Sequence, residues 1–182
     1  MMYDAASPVD GVWEPAFLEL PSGELHCYFA DESIYPNSSE QRIALMRSWD
    51  KGLTWTEPET ISFRAGHRDG MPVPLLLADG KTIVVAIEDN GAGGTPFRQM
   101  IVRTDTADNW RSGYVSGDSD KRNECYSRAE VPATANAAAP YIAMLPTGEI
   151  VHSFQGNLDG RYWEAGDMYV GVGNADARDF KD

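Results

Sequence analysis

Positive charge is scarce in this chain. Its 182 residues hold 15 Lys and Arg against 28 Asp and Glu, a formal net charge of −13. A protein that tracks phosphates needs a basic face, so neither nucleic acid nor an anionic membrane surface is an expected partner. Long apolar runs are missing too: stretches such as Val73 to Ala78 fall far short of the ~20 residues that span a bilayer. Two cysteines, Cys27 and Cys125, allow one bridge at most and no disulfide framework. The three histidines, His26, His67 and His152, show no ligand spacing such as His-x-x-x-His, so no metal and no other cofactor is expected. The opening Met1-Met2-Tyr3-Asp4 has neither the charged nor the apolar region of a secretion signal. What the chain does have is punctuation: 17 Gly and 11 Pro set among short apolar stretches, with 42% hydrophobic residues overall. That composition predicts one globular all-β domain of many short strands.

Three segments repeat one pattern. Pro15 to Phe29, Pro72 to Ala86 and Pro140 to Phe154 each place a proline eight residues before a glycine, at Gly23, Gly80 and Gly148. Each reads as an apolar strand, a Pro-Ser-Gly, Ala-Asp-Gly or Pro-Thr-Gly turn, and a second strand, which predicts a hairpin. The turn glycines fall 57 and 68 residues apart. After each hairpin comes a further apolar strand and an acidic turn. In the first copy this is Ser48-Trp-Asp50-Lys-Gly52-Leu-Thr54-Trp55; in the second, a degraded form ends Asp105-Thr-Ala-Asp-Asn-Trp110. In both, an Asp stands five residues before a Trp, and Phe180 takes the Trp place in the third. Four antiparallel strands per unit, repeated radially, describe propeller blades. Their bounds fall near residues 11–66, 67–133 and 134–182, the last unit lacking its final strand.

The Ser48-x-Asp50-x-Gly52-x-Thr54-Trp55 segment resembles the Asp box, or BNR repeat, of sialidase-like propellers. Gly11-Val-Trp-Glu-Pro15, Arg68-Asp-Gly-Met-Pro72 and Ala86-Ile-Glu-Asp-Asn-Gly91 are similar to segments of the exo-acting arabinanases of glycoside hydrolase family 93. Those families carry six blades, whereas about three are expected here. The resemblance therefore implies that the rest of the propeller comes from a longer chain or from a second copy of this one. The longer chain is the preferred expectation, because the last unit stops mid-repeat. The resemblance also implies a secreted or periplasmic protein.

Topology sorts the residues further. In an up-and-down blade the A–B and C–D turns share one face of the disc. The start of strand A and the B–C connection share the other. The turn glycines and the acidic turns thus fall on one face, and Glu14, Asp31, Glu32, Arg68, Asp69, Glu88, Asp89, Gln155 and Asn157 on the opposite one, close to the axis where a propeller forms its pocket. Glu14 breaks its own repeat, because Met71 and Ala139 precede the other two prolines; Glu88 does so as well, because Asp31 and Gly156 stand at the same offset from the turn glycine. Two carboxylates facing one sugar suffice for glycoside hydrolysis, one donating a proton and the other attacking or activating water. The resemblance to the arabinanases places those roles on Glu14 and Glu88 without saying which is the acid. Asp89 and the Asp31-Glu32 pair would raise the acid's pKa by like-charge repulsion.

The remaining candidates divide by face. Asp31, Glu32, Arg68, Asp69, Asp89, Gln155 and Asn157 are read as substrate contacts, and Tyr35, Tyr162 and Trp163 as aromatic surfaces for sugar rings. Ser48, Asp50, Gly52, Thr54, Trp55, Asp105 and Trp110 are read as structural, since Asp and Ser or Thr in such turns hydrogen-bond backbone while Trp packs. Cys27 aligns with Val84 and His152 on an inward position, as a core thiol. The expected partner is an oligosaccharide or polysaccharide. Two alternatives stand beside the hydrolase: a sialidase, disfavoured because no Arg-Ile-Pro motif accompanies Arg42, Arg68 or Arg128, and a non-catalytic carbohydrate-binding or scaffold propeller.

Overall fold

The computed structural model describes residues 2–5, 10–92, 96–162 and 166–181, and these contain strands and no helix. The first sheet runs in chain order through β1 (Val12–Glu19), β2 (Leu25–Asp31), β3 (Arg42–Ser48) and β4 (Glu59–Phe63), each antiparallel to the last. A two-residue strand, β8 (Val115–Ser116), adds to β4 in parallel and stitches the second unit to the first. The second sheet holds β5 (Asp69–Leu76), β6 (Thr82–Asp89), β7 (Arg98–Asp105) and the short β9 (Arg122–Glu124). The third holds β10 (Ala137–Met144), β11 (Ile150–Gly156) and β12 (Asp167–Gly173), with a single bridge from Val172 to Lys181 beyond it. This is the partial propeller of four-stranded antiparallel units that the repeat predicts.

The sheets stack face to face, and apolar side chains fill each of the two joints. Tyr28, Leu45 and Ile61 of the first meet Ile83, Ile87 and Val102 of the second. Val84, Ala86 and Ile101 on the second sheet's other face meet Ile142, Ile150 and Phe154 of the third. On the first sheet's far face, Cys27, Phe29, Ala44 and Met46 are covered by Met2, Tyr3, Val12 and Trp55. The third sheet's far face is open, with Tyr141, Met168 and Val170 each more than half exposed.

One irregularity recurs in all three units. The pairing of the first two strands slips by one residue between Trp13 and Ala16, between Gly70 and Val73, and between Ala138 and Tyr141. The residue before each proline, Glu14, Met71 and Ala139, has φ of +56°, +49° and +54°. These are bulges, and the left-handed backbone there costs on the order of 1–3 kcal/mol for a residue with a side chain. The bulge is the structural duty of this position in every copy; the carboxylate at Glu14 is not.

Register also corrects two alignments. The second hairpin is one residue longer than the others, since Leu75 faces Val84 where Leu18 faces His26 and Ala143 faces Val151. Counting from the turn glycine therefore slips by one in that unit. The counterparts of Glu88 are Ala30 and Gln155, not Asp31 and Gly156, and Cys27 corresponds to Val85 and His152, not Val84.

The acidic turns differ in a similar way. Asp50 accepts from Ser48 Oγ (2.8 Å), Thr54 N (2.8 Å) and Thr54 Oγ1 (2.6 Å), while Trp55 Nε1 donates to Gly52 O (3.0 Å). The Thr54 hydroxyl and N–H, with Ser48, pull the Asp50 pKa down to about 2. In the second unit these bonds fall to Asp108, which accepts from Thr104 Oγ1 (2.9 Å), Ser112 N (3.0 Å) and Ser112 Oγ. Asp105 lies in two extra residues ahead of it. Trp110 sits where Gly52 does, at φ +64°. Its indole compensates for that strain by burying between the sheets and donating to Tyr28 Oη at 3.1 Å.

Candidate functional site

The bulges bring the two glutamates to one place. Glu14 reaches from the first sheet to the second, where its Oε2 accepts the Met71 N–H at 3.0 Å. Glu88 reaches from the second sheet to the third, where its Oε2 accepts the Ala139 N–H at 2.8 Å. In each case the acceptor meets the backbone donor of the neighbouring bulge. Glu88 pairs in register with Gly70, and a Cβ placed on Gly70 would stand 3.0 Å from Glu88 Oε1. The two carboxyls thus bracket the Gly70–Met71 peptide. Gly70 is required here for close approach.

Their electrostatics differ. Burial pushes the Glu88 pKa up to about 7; the Ala139 N–H and Arg68 pull it down and Glu14 pushes it up, but neither direction of pull outweighs burial. Glu14 is the more exposed of the two. Partial burial raises its pKa as well, opposed by the Met71 N–H and the Arg68 charge. Asp89 has no part in this, contrary to the repulsion expected of it, because adjacent residues on a strand point to opposite faces.

Asp89 belongs instead to a buried charge cluster. Arg122 donates to Asp69 Oδ1 (2.8 Å), Asp69 Oδ2 (2.6 Å), Asp89 Oδ2 (2.7 Å) and Ser62 Oγ (2.7 Å). Arg64 Nε donates to both Asp89 oxygens, at 3.1 and 3.0 Å. Asp31 is similarly enclosed, by Arg42 Nε (2.9 Å), Arg42 Nη2 (2.7 Å), Ser33 N (3.0 Å) and Ser33 Oγ (2.6 Å). Asp31, Asp69 and Asp89 are fully buried, so each holds the wall behind the mouth and offers no free oxygen to a ligand. The ion-pairing roles of Arg42, Arg64 and Arg122 escaped the sequence reading; for Arg42 the signal available was an Asp at one strand end facing an Arg across the next, as Asp31 faces Arg42.

The other candidates lie around the mouth. Arg68 pairs with Glu32, and its Nη1 donates to Ser39 O at 3.0 Å. Gln41 Nε2 also donates to Glu32, at 3.3 Å. Asn157 is spent on structure, accepting from Asn136 N (2.7 Å) and donating to Arg161 O (2.7 Å). Gln155 is exposed at the edge of a cleft between the second and third sheets, with Tyr162 beside it. Tyr35 stacks on Phe63 with ring centroids 5.2 Å apart. Trp163 lies outside the described residues. Among the described residues no group of three or more His, Cys, Asp or Glu side chains converges to hold a metal ion.

Comparison with known proteins supports the architecture. No family model matches the sequence, and no curated protein matches it. Solved structures do: the fold is that of the sialidase-like propellers. The GH93 α-L-arabinofuranosidase of Fusarium graminearum, solved with arabinobiose, superposes with a TM-score of 0.65 at 15% identity over 93% of this chain and 49% of that one. The α-L-arabinanase of Penicillium chrysogenum, also with arabinobiose, gives 0.63 at 14% identity, over 98% of this chain and 50% of the other. A Hadza microbial sialidase gives 0.61 at 19% identity, over 95% and 33%. The chain thus spans half or less of the length of these enzymes.

Proposed function

We propose that this chain carries the catalytic mouth of a glycoside hydrolase that removes terminal units from an arabinan-type or related polysaccharide, with Glu88 as proton donor and Glu14 as nucleophile or base. The observation that carries the reading is the bracketing of one peptide, Gly70–Met71, by two carboxyls from neighbouring sheets in unlike environments. A buried acid that keeps its proton near pH 7 is equipped to protonate a glycosidic oxygen as the bond to the anomeric carbon breaks. Glu14, held by an N–H and facing the Arg68 charge, is suited to work as the carboxylate. It would either bond to the anomeric carbon, to be displaced by water that Glu88 then deprotonates, or activate that water directly. On the same reading the loop from Ser48 to Trp55 is an Asp box, and that from Thr104 to Gly113 a lengthened copy.

A sialidase reading draws support from one structural relative but not from the charges. Sialic acid carries a carboxylate that needs uncommitted arginines, and Arg42, Arg64, Arg98 and Arg122 are each paired with a carboxylate of the chain itself. The deciding assay offers arabino-oligosaccharides beside a sialoside to the parent and to Glu14→Gln and Glu88→Gln. Arabinose-containing products from the parent and none from either variant are expected. Release of sialic acid alone, or no release from any substrate by a folded protein, would overturn the reading; the latter result, with binding retained, would mark a non-catalytic carbohydrate-binding propeller.

A further inference from the structure

Glu88 Oε2 accepts the Ala139 N–H at 2.8 Å, which leaves Oε1 to carry the hydrogen when this carboxyl is protonated. That oxygen has a neighbour. A Cβ built on Gly70 would stand 3.0 Å from Glu88 Oε1 and 3.2 Å from Gln41 Oε1, so the two oxygens face one small space over the Gly70 backbone. Gln41 is buried just ahead of β3, and the second unit fixes its backbone: its N–H donates to His67 O at 3.2 Å and its C=O accepts the Asp69 N–H at 3.0 Å. Its amide has one sense. Nε2 donates to Glu32 at 3.3 Å, and a carboxylate can only accept, so the nitrogen end faces Glu32 and the oxygen end faces Gly70. Arg68 holds Glu32 in turn. No donor among the described residues reaches Gln41 Oε1.

The charged groups acting on Glu88 are Glu14 from the first sheet and Arg68 ahead of β5; from the third sheet comes the Ala139 N–H. Across β7, Gln99 pairs with Glu88 in register and spends its Nε2 on Ala137 O at 2.6 Å. Its Oε1 is buried with no donor among the described residues, which makes it the rival acceptor for the Glu88 hydrogen. Direction favours Gln41. Glu88 Cγ would lie 3.2 Å from the same Gly70 Cβ, so the side chain leans toward β5, and β7 flanks β6 on the other side.

We propose that Gln41 is a positioning residue for the proton donor: its amide oxygen accepts the Glu88 hydrogen while no sugar is bound, holding the carboxyl protonated and aimed at the mouth until a glycosidic oxygen takes its place. A hydrogen bond accepted from the neutral acid favours that form and adds to the effect of burial. The inference deepens the proposed function, and only the hand-over to a glycosidic oxygen rests on that reading.

A 13C NMR titration of the Glu side-chain carboxyls, with the Glu88→Gln protein identifying the Glu88 signal, reads this proton without turnover. The parent midpoint is expected near pH 7. Gln41→Met keeps the length of the side chain and removes the acceptor, so the midpoint should fall by about half to one pH unit, an about three- to tenfold loss of proton affinity. Gln41→Glu keeps an oxygen and adds a like charge, so it should move the midpoint up, while Gln99→Met should leave it in place. Melting temperatures check that each variant is folded. A midpoint unchanged or raised in Gln41→Met overturns the proposal, because a side chain that only fills space leaves Glu88 as dry or drier once its amide is gone. So does the lack of a rise in Gln41→Glu, or a fall confined to Gln99→Met, which gives the role to Gln99. A parent that never cleaves an arabino-oligosaccharide, with the Glu88 midpoint still falling in Gln41→Met, leaves this inference standing while the hydrolase reading fails. A parent that cleaves it, with an alkaline limb of kcat/KM that Gln41→Met does not move, does the reverse.

Discussion

Replacing Glu88 by Gln should change how stability depends on pH, whether or not the chain turns over substrate. Burial pushes the Glu88 pKa from 4.5 up to about 7 in the folded protein. The unfolded chain gives up this proton near 4.5, whereas the native state holds it until about pH 7, so between those values the native state binds more protons. Stability therefore falls as pH rises through that window. Each tenfold change in proton affinity is worth about 1.4 kcal/mol. The fall assignable to Glu88 is accordingly roughly 3 kcal/mol, a substantial part of the ~5–15 kcal/mol that holds a typical domain together. Gln cannot ionise, keeps an oxygen for the Ala139 N–H and fills nearly the same volume. Urea unfolding of parent and variant at pH 4.5 and pH 8 should show the variant gaining roughly 3 kcal/mol on the parent between the two conditions. A difference that stays constant to within about 0.5 kcal/mol would mean that Glu88 ionises normally, and the proton-donor assignment would lose its physical basis.

Gly70→Ala puts a methyl 3.0 Å from Glu88 Oε1 and 3.2 Å from both Glu88 Cγ and Gln41 Oε1; because all three atoms belong to long side chains that can shift by a few tenths of an ångström, the melting temperature should move little while kcat/KM on an arabino-oligosaccharide drops by about 10- to 100-fold. Arg122→Ala removes the partner of two buried aspartates and should destabilise the fold by about 3–5 kcal/mol in denaturant titration. Glu88→Ala strips the Ala139 N–H of its acceptor, so it should be about 1–3 kcal/mol less stable than Glu88→Gln at the same pH, with both inactive. The kcat/KM profile of the parent should fall on its alkaline side near pH 7, as Glu88 loses its proton.

Local chemistry made much of this fold readable. Pro-Ser-Gly, Ala-Asp-Gly and Pro-Thr-Gly between apolar stretches encode hairpins, and the turn glycines Gly23, Gly80 and Gly148 do sit at φ of +84°, +65° and +100°. That Glu14 and Glu88 share one face was readable for the same reason, since strand order alone decides which strand ends lie together. What stayed hidden is set by register and by contact between sheets. A single extra residue in the second hairpin moves Glu88 onto the face that meets the third sheet, a shift that counting from Gly80 cannot detect. Arg122 pairs with Asp69 from 53 residues away, and no spacing announces it. The tryptophan at 110 looked like the partner of Trp55 because both follow an Asp by five residues, yet two extra residues in its turn put it in the place of Gly52.

The bulge before each proline links fold to chemistry. Slipping the strand by one residue interrupts the ladder at that point and leaves the N–H of Met71 and Ala139 needing an acceptor outside it. In both cases that acceptor is a carboxylate from the preceding sheet. Ala30 takes the Glu88 position in the first sheet and cannot serve, so Glu14, from the neighbouring strand, meets Met71 instead. The two acids are thus drawn to one mouth by a backbone requirement that each unit repeats. Their difference in proton affinity follows from burial: Glu88, on the inner position, is closed in by the third sheet, and Glu14, on the bulge itself, keeps contact with solvent. Unlike carboxyls, of the kind acid–base work on a glycosidic bond demands, arise here from satisfying the same defect in two different ways.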